Sequence, residues 1–321
     1  MVGKYVITMT RRLFLAFSLL VTACLFFASC SLGGKRGDKK KLPASIGQPY
    51  EVLLEGDTFD IVKSMLTEDV DILPQPEPMC DVISVKRGKV RGSYLLMRTR
   101  VVVNIGKPFS VKLSHDENAA PQTIIRIYAA SLQELRDSLL PRVLQTAIYE
   151  AEQEHLAAVI KQNPEKQKLV KQLFGIDMKI PEQLDASKEA KNFLWLSNNA
   201  NRGMQNLIFI RVESEERSVK NSTPLTPKEE IDSMLRKNMI GETDSMYMQL
   251  SHPKRLYANL NQGLWEMKGD AMGGPYRMSR LPLANGSLYI IAFVYAPEMK
   301  KRNLVKQLEA VMTTARRAAD N

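Results

Sequence analysis

The feature that most restricts the fold lies at the N-terminus. Arg11 and Arg12 precede an apolar run from Leu13 to Phe27, which closes on Ala28-Ser29-Cys30. A positive stretch, a short apolar stretch and small residues before a cut are the pattern of a secretory leader. The run of about 15 residues is shorter than the ~20 that cross a bilayer. Residues 1–29 are therefore expected to be removed, with Met1 or Met9 as the start, and to add nothing to the core. Of the three cysteines, Cys24 leaves with the leader and Cys30 sits at its end, so Cys80 alone remains for the folded part. That part must hold together without an intramolecular disulfide, and Cys80 reads as a buried, inert thiol.

Phe27-Ala28-Ser29-Cys30 resembles a bacterial lipobox, with Phe27 where leucine is usual. Cys24 also follows small residues, but the apolar "LFFAS" after it would make a poor tether. After Cys30 comes "SLGGKRGDKKKLPAS", rich in Gly and Lys, which suits a mobile tether over residues 30–45. Cys30 is thus the expected lipidation site. Two or three acyl chains hold stably, at about 0.8 kcal/mol per buried CH₂. The tether lysines add about 1 kcal/mol each against anionic head groups. The expected partner is a membrane, reached through the lipid anchor. An acidic run after the cysteine, which would resemble a surface-export signal, is missing. The expected location is the outer membrane, facing the periplasm.

Charge points the same way. The chain is 44% hydrophobic and 25% charged, a globular composition. Its formal net charge is +10, but three of those charges are Lys4, Arg11 and Arg12. Four more are the excess of Lys35, Arg36, Lys39, Lys40 and Lys41 over Asp38, which leaves +3 for residues 42–321. A nucleic-acid binder concentrates its bases on the folded surface, so no nucleic-acid partner is expected.

Along the mature chain, segments such as "YEVLLEG", "SYLLMRTRVVVNIG" (93–106) and "SLYIIAFVYA" read as strands. Asp57 is a plausible helix N-cap, and Ser131-Leu132-Gln133-Glu134 and Thr226-Pro227-Lys228-Glu229 have the form of capping boxes. The helix opened at 132 should be kinked or divided at Pro141 and run on to Gln162, and a shorter one should end at Gly175. Asn285-Gly286 predicts a tight hairpin. The fold class expected is α+β, antiparallel sheets with packed helices, in two halves: 46–175, ending in helices, and 176–321. "TIIRIYAASLQELRDSLLPRVLQTA" and "LYIIAFVYAPEMKKRNLVKQLEAVMTTA" both read strand, Tyr-Ala, polar break, helix, which predicts two similar repeats.

"GLWEMKGDAMGGPYRMSRL", residues 263–281, is the stretch that could look like a ligand loop. It lacks the glycine spacing of a phosphate or dinucleotide loop, and strands are expected on both sides of it. Gly273, Gly274 and Pro275 are expected to form a tight turn, the glycines with positive φ. A binding surface, if present, is expected around Trp265, Tyr276 and Arg277, where aromatic and basic residues flank that turn; Trp265 as core is the competing reading. Together with "LPASIGQPYEVLL", "LPQPEPMCDV", "IIRIYAAS", "NFLWLSN" and "FVYAPEMKKRNLVKQLEAV", this stretch resembles a family of Bacteroidota envelope lipoproteins built on a domain of unknown function, DUF4837. The resemblance implies a lipidated envelope protein and implies no activity.

Catalytic constellations are sparse. His155 lacks the second histidine of a zinc-protease helix, so neither a metal nor a cofactor is expected. Ser251-His252-Pro253-Lys254 fits a serine–lysine motif by letter only. The leading expectation is a non-catalytic binding or assembly module, with envelope proteins or polymers as partners. Two alternatives stay open. One is an envelope hydrolase using Glu266 and Asp270 as acid and base. The other is a copper carrier lined by Met246, Met248, Met267, Met272 and Met278, because thioethers are soft ligands.

Overall fold

The computed structural model describes residues 41–136, 139–213, 226–251, 253–257 and 260–318. The expected leader and Cys30 lie outside the described residues. Pro43–Asn321 form one compact unit.

The first sheet contains β1 (Glu51–Glu55), β2 (Asp81–Val85), β3 (Thr99–Ile105), β4 (Ser110–His115) and β5 (Thr123–Ala129), in the order β2-β1-β3-β5-β4. β1 runs parallel to β2 and β3, and β3 parallel to β5; only the edge strand β4 is antiparallel. The α+β class expected holds, with this first sheet mixed rather than antiparallel. Parallel neighbours need a crossover. Between β1 and β2 it contains α1 (Ile61–Leu66), followed by the proline-broken stretch to Pro78. Both carboxylate oxygens of Asp57 accept from the start of α1, at Ile61 N and Lys63 N. After β5 come α2 (Leu132–Leu135) and α3 (Leu139–Ala158). The break falls before Leu139, not at Pro141, because Pro141 occupies the first turn of α3, where a missing N–H costs nothing. α3 also ends earlier than Gln162. Alternate residues Val52, Leu54, Val101, Val103, Ile125 and Ile127 meet Leu140, Leu144 and Ile148 of α3 in the first core.

The second half opens with α4 (Pro164–Phe174), N-capped by the Asn163 side chain and ended by Gly175 in the left-handed region. It continues through β6 (Ile176–Asp177), β7 (Ala186–Ala190), β8 (Phe193–Ser197), β9 (Met204–Val212) and α5 (Pro227–Asn238). Then follow β10 (Met248–Leu250), β11 (Lys254–Tyr257), β12 (Leu260–Met267), β13 (Gly273–Leu283), β14 (Gly286–Tyr295), α6 (Arg302–Thr313) and β15 (Arg316–Arg317). The large sheet runs β10-β12-β13-β14-β9-β8-β7 and is antiparallel throughout, with β11 on β12. The capping box at Thr226 forms as expected, and Leu283 pairs with Gly286 across a two-residue hairpin turn. The polar edge strand β7 was not legible as a strand; Lys188 and Glu189 on it suit an edge that must not recruit another chain.

Strand alternation sends Leu207, Phe209, Leu288 and Ile290 to one face, where α4 and α6 cover them. Ile208, Ile210, Ile291 and Phe293 go to the other, under Ile231 and Leu235 of α5. Val170 and Phe174 of α4 lie in this second core, so the cores divide before Pro164 and not after Gly175. The two expected repeats differ in strand number and direction: β5 lies beside a parallel partner, β14 between two antiparallel ones. The resemblance of the two strand–helix segments does not extend to topology.

Candidate functional site

Trp265, Tyr276 and Arg277 are all interior, at 3%, 1% and 1% exposure. They line no surface, which corrects the expected binding patch and leaves the core reading of Trp265. Trp265 and Tyr276 project from β12 and β13 toward α5. Trp265 Nε1 donates to Val294 O at 3.0 Å, and its ring meets Phe293 edge-on at 5.0 Å. Tyr276 OH donates to Ser251 O at 3.0 Å. Burial, with Asp232 as a smaller cause, pushes the Tyr276 hydroxyl up to about 12.

The glycines near them follow from the aromatic rings. Gly274 is the register partner of Trp265, and Gly263 that of Tyr276. A Cβ on Gly274 would lie 2.2 Å from Val294 O and 3.1 Å from Trp265 Nε1; one on Gly263 would lie 2.5 Å from the Tyr276 ring. Each ring lies over a bare backbone on the adjacent strand. The expectation of a turn at Gly273-Gly274-Pro275 is therefore corrected: all three belong to β13, and the turn lies at 268–272 with Gly269 at φ +82. Pro275 fits because the pairing of β13 with β14 begins one residue later, at Tyr276 and Phe293.

Arg277 points the other way, toward α6. Its Nε donates to Glu309 Oε1 at 2.6 Å, and Lys306 Nζ donates to Glu309 Oε2 at 2.9 Å. Glu309 is fully buried and Lys306 nearly so. Burial alone would raise Glu309, but Lys306 and Arg277 together more than offset it and hold the carboxyl below its usual range. Lys306 shifts down as well: burial lowers it, and one anion does not fully compensate when a second cation, Arg277, is also close. The ammonium lies 5.6 Å from the Tyr50 ring centroid and 4.9 Å from that of Tyr149. Gln153 of α3 completes the bridge, donating to both Tyr50 OH and Lys306 O. The residue before it, Glu152, accepts from Arg98 Nε and Nη2, Thr99 Oγ1 and Tyr50 N.

This cluster was missed in the sequence. A signal was there: Arg302, Lys306 and Glu309 share the helical spacing of Val305, Leu308 and Met312, so charges sit on the apolar face of α6. Each carboxylate in it is matched by cations inside the protein. The arrangement ties α3, α6 and β13 together.

The other candidates are dispersed. Glu266 is exposed on β12 and Asp270 on the turn after it, where its Oδ1 accepts from Ala271 N. Met248 is buried with Ile208, Ile291 and Leu235 on the α5 face of the large sheet, with Met267, Met272 and Met278 packed against that cluster. Cys80 is buried, and desolvation pushes its thiol up to about 12. His155 is partly buried on α3, and burial, then the Arg98 charge, lower it.

Fold and cluster define an α+β protein of two modules joined through buried charges. Residues 163–314 match the family described as Domain of unknown function (DUF4837). Residues 45–162 match a second, described as Domain of unknown function (DUF8532). The border between the two matches lies just before α4, whose Val170 and Phe174 belong to the core of the large sheet. The chain matches no curated protein.

Proposed function

We propose that the chain is a lipid-anchored cell-envelope protein, fastened through Cys30, whose body is a non-catalytic binding or assembly module facing the periplasm. One observation carries the reading. Arg11-Arg12, the apolar run, Ala28-Ser29-Cys30 and a Gly- and Lys-rich segment follow one another, and a compact unit starts at Pro43. The non-catalytic part is supported by how the buried ionisable groups are used. Glu309 is engaged by Arg277 and Lys306, and Glu152 by Arg98, while Glu77 caps α6. The partners are the membrane and, through the body, envelope proteins or polymers.

Mass spectrometry of the protein purified from membranes tests this. The expected N-terminal peptide begins at Cys30 and carries a diacylglyceryl thioether. Cys30→Ser should move the protein out of the membrane fraction. An unmodified Cys30, or an N-terminus with residues 1–29 still attached, overturns the reading.

A further inference from the structure

The link from β2 to β3 carries an unusual density of charge. Lys86, Arg87, Lys89 and Arg91 fall within six positions, with no acid between Val85 and Met97. All four side chains are exposed, and among the described residues none is in an ion pair. The link is held in shape at both ends. Gly88 N donates to Glu55 Oε1, and Gln122 Nε2 donates to Leu95 O and Met97 O. Within it, Gly92–Leu96 form a short 3₁₀ turn that leaves Tyr94 41% exposed.

The first residues of the compact unit run beside this link. Ile46 N donates to Leu96 O, Arg98 N donates to Ile46 O, and the Ile46 side chain is 40% exposed. These residues directly follow the proposed tether in sequence. Cations on a fixed loop, an exposed tyrosine and an exposed aliphatic side chain are what an interfacial lipid contact uses. We infer that this loop, with Tyr94 and Ile46, is a second membrane contact that lays the folded body against anionic lipid head groups. The inference rests on the lipid-anchor reading for its choice of occupant, since the bilayer that holds Cys30 is the anionic surface nearest in sequence to Ile46. Each basic residue adds to attraction by anionic lipid, and the attraction fades with salt because the charges are exposed.

The compact unit Pro43–Asn321, which has neither Cys30 nor the tether lysines, tests the contact apart from the anchor. It should co-sediment with vesicles of phosphatidylethanolamine and phosphatidylglycerol, and not with phosphatidylcholine vesicles. High salt should release it. K86E/R87E/K89E/R91E should lower the partition coefficient at least about tenfold. Reversing four exposed lysines elsewhere, Lys168, Lys191, Lys228 and Lys237, should leave it near the parent value. The salt dependence of the unsubstituted unit gives the same answer without relying on the folding of any variant. Absence of vesicle binding, equal binding to neutral vesicles, or an equal loss in the control variant overturns the inference. So does capture by polyglutamate beads without capture by vesicles. The Cys30 reading has its own readout in the mass of the N-terminal peptide, so either can fail alone.

Discussion

Arg277 on β13 and Glu309 on α6 meet at 2.6 Å with neither side chain reached by solvent. Removing one partner of such a pair leaves an uncompensated charge in the interior, at a cost of about 3–5 kcal/mol. Glu309→Ala strands both Arg277 and Lys306 and is expected to reach that range in urea unfolding. Glu309→Gln keeps the shape and loses the charge, so it should fall below it. The pH dependence has a definite sign. Glu309 titrates lower in the folded state than its ordinary value of 4.5. Its contribution is complete above that value and disappears as pH falls through the lower, folded one. Unfolding free energies of the parent should therefore drop on the acid side of 4.5 more steeply than those of Glu309→Gln. Parallel acid limbs would contradict the assignment.

Trp265 and Gly274 form the second testable relationship. On Gly274 a methyl would meet the carbonyl oxygen of Val294, a backbone atom that cannot swing away. Overpacking of this kind costs about 1–3 kcal/mol, and Gly274→Ala should fall at the upper end. Trp265→Ala should cost about 3–5 kcal/mol through the cavity it leaves. Because ring and glycine are cross-strand partners, Gly274→Ala should cost less in a Trp265→Ala background. A double-mutant cycle by thermal unfolding measures that coupling. Strict additivity would show that Val294 O alone sets the cost.

Why some of this was legible in the sequence, and some was not, follows from the range of the interactions. Thr226 with Glu229 and Asn285-Gly286 act within a few residues, so their letters sufficed. The parallel order of β1, β2, β3 and β5 is fixed by crossover connections that no strand carries in its own pattern. Gly273 and Gly274 fit a turn by letter because glycine serves positive φ and close approach alike. Only the cross-strand register, which puts Trp265 opposite Gly274, separates the two. Trp265, Tyr276 and Arg277 looked like a surface because aromatic and basic residues also mark interfaces. Two register pairs and an ion partner 32 residues away bury them instead.

Cys80 offers a chemical check on burial. Its thiol is pushed up to about 12 by desolvation, with Arg302 the largest opposing influence. The thiolate is the reactive form, so native protein should react negligibly with Ellman's reagent at neutral pH. Unfolding in guanidinium should restore the rate of an ordinary free thiol. Rapid labelling of the native protein would place Cys80 outside the first core.

The last relationship joins the two matched segments. The N-cap position of α6 is Lys301, whose side chain makes no capping bond, yet the helix start is not left bare. Glu77, from the proline-broken stretch before β2, accepts from Lys301 N through Oε1 at 2.7 Å and from Arg302 N through Oε2 at 2.9 Å. A carboxylate there satisfies two free amides and faces the positive end of the helix dipole. Arg302 returns the contact by donating to Pro78 O and Asp81 Oδ2. A cap from within a helix is worth about 0.5–2 kcal/mol, and this one is also buried. Glu77→Ala should therefore lose at least the upper part of that range in urea unfolding, and Glu77→Gln, which can still accept, less. The loss should lower the unfolding midpoint of both modules together, read as coincident transitions from tryptophan fluorescence, which reports on the second module, and from hydrogen exchange of β1 and β3, which reports on the first. If only the second module lost stability, Glu77 would be a local cap and the buried charges alone would hold the modules together.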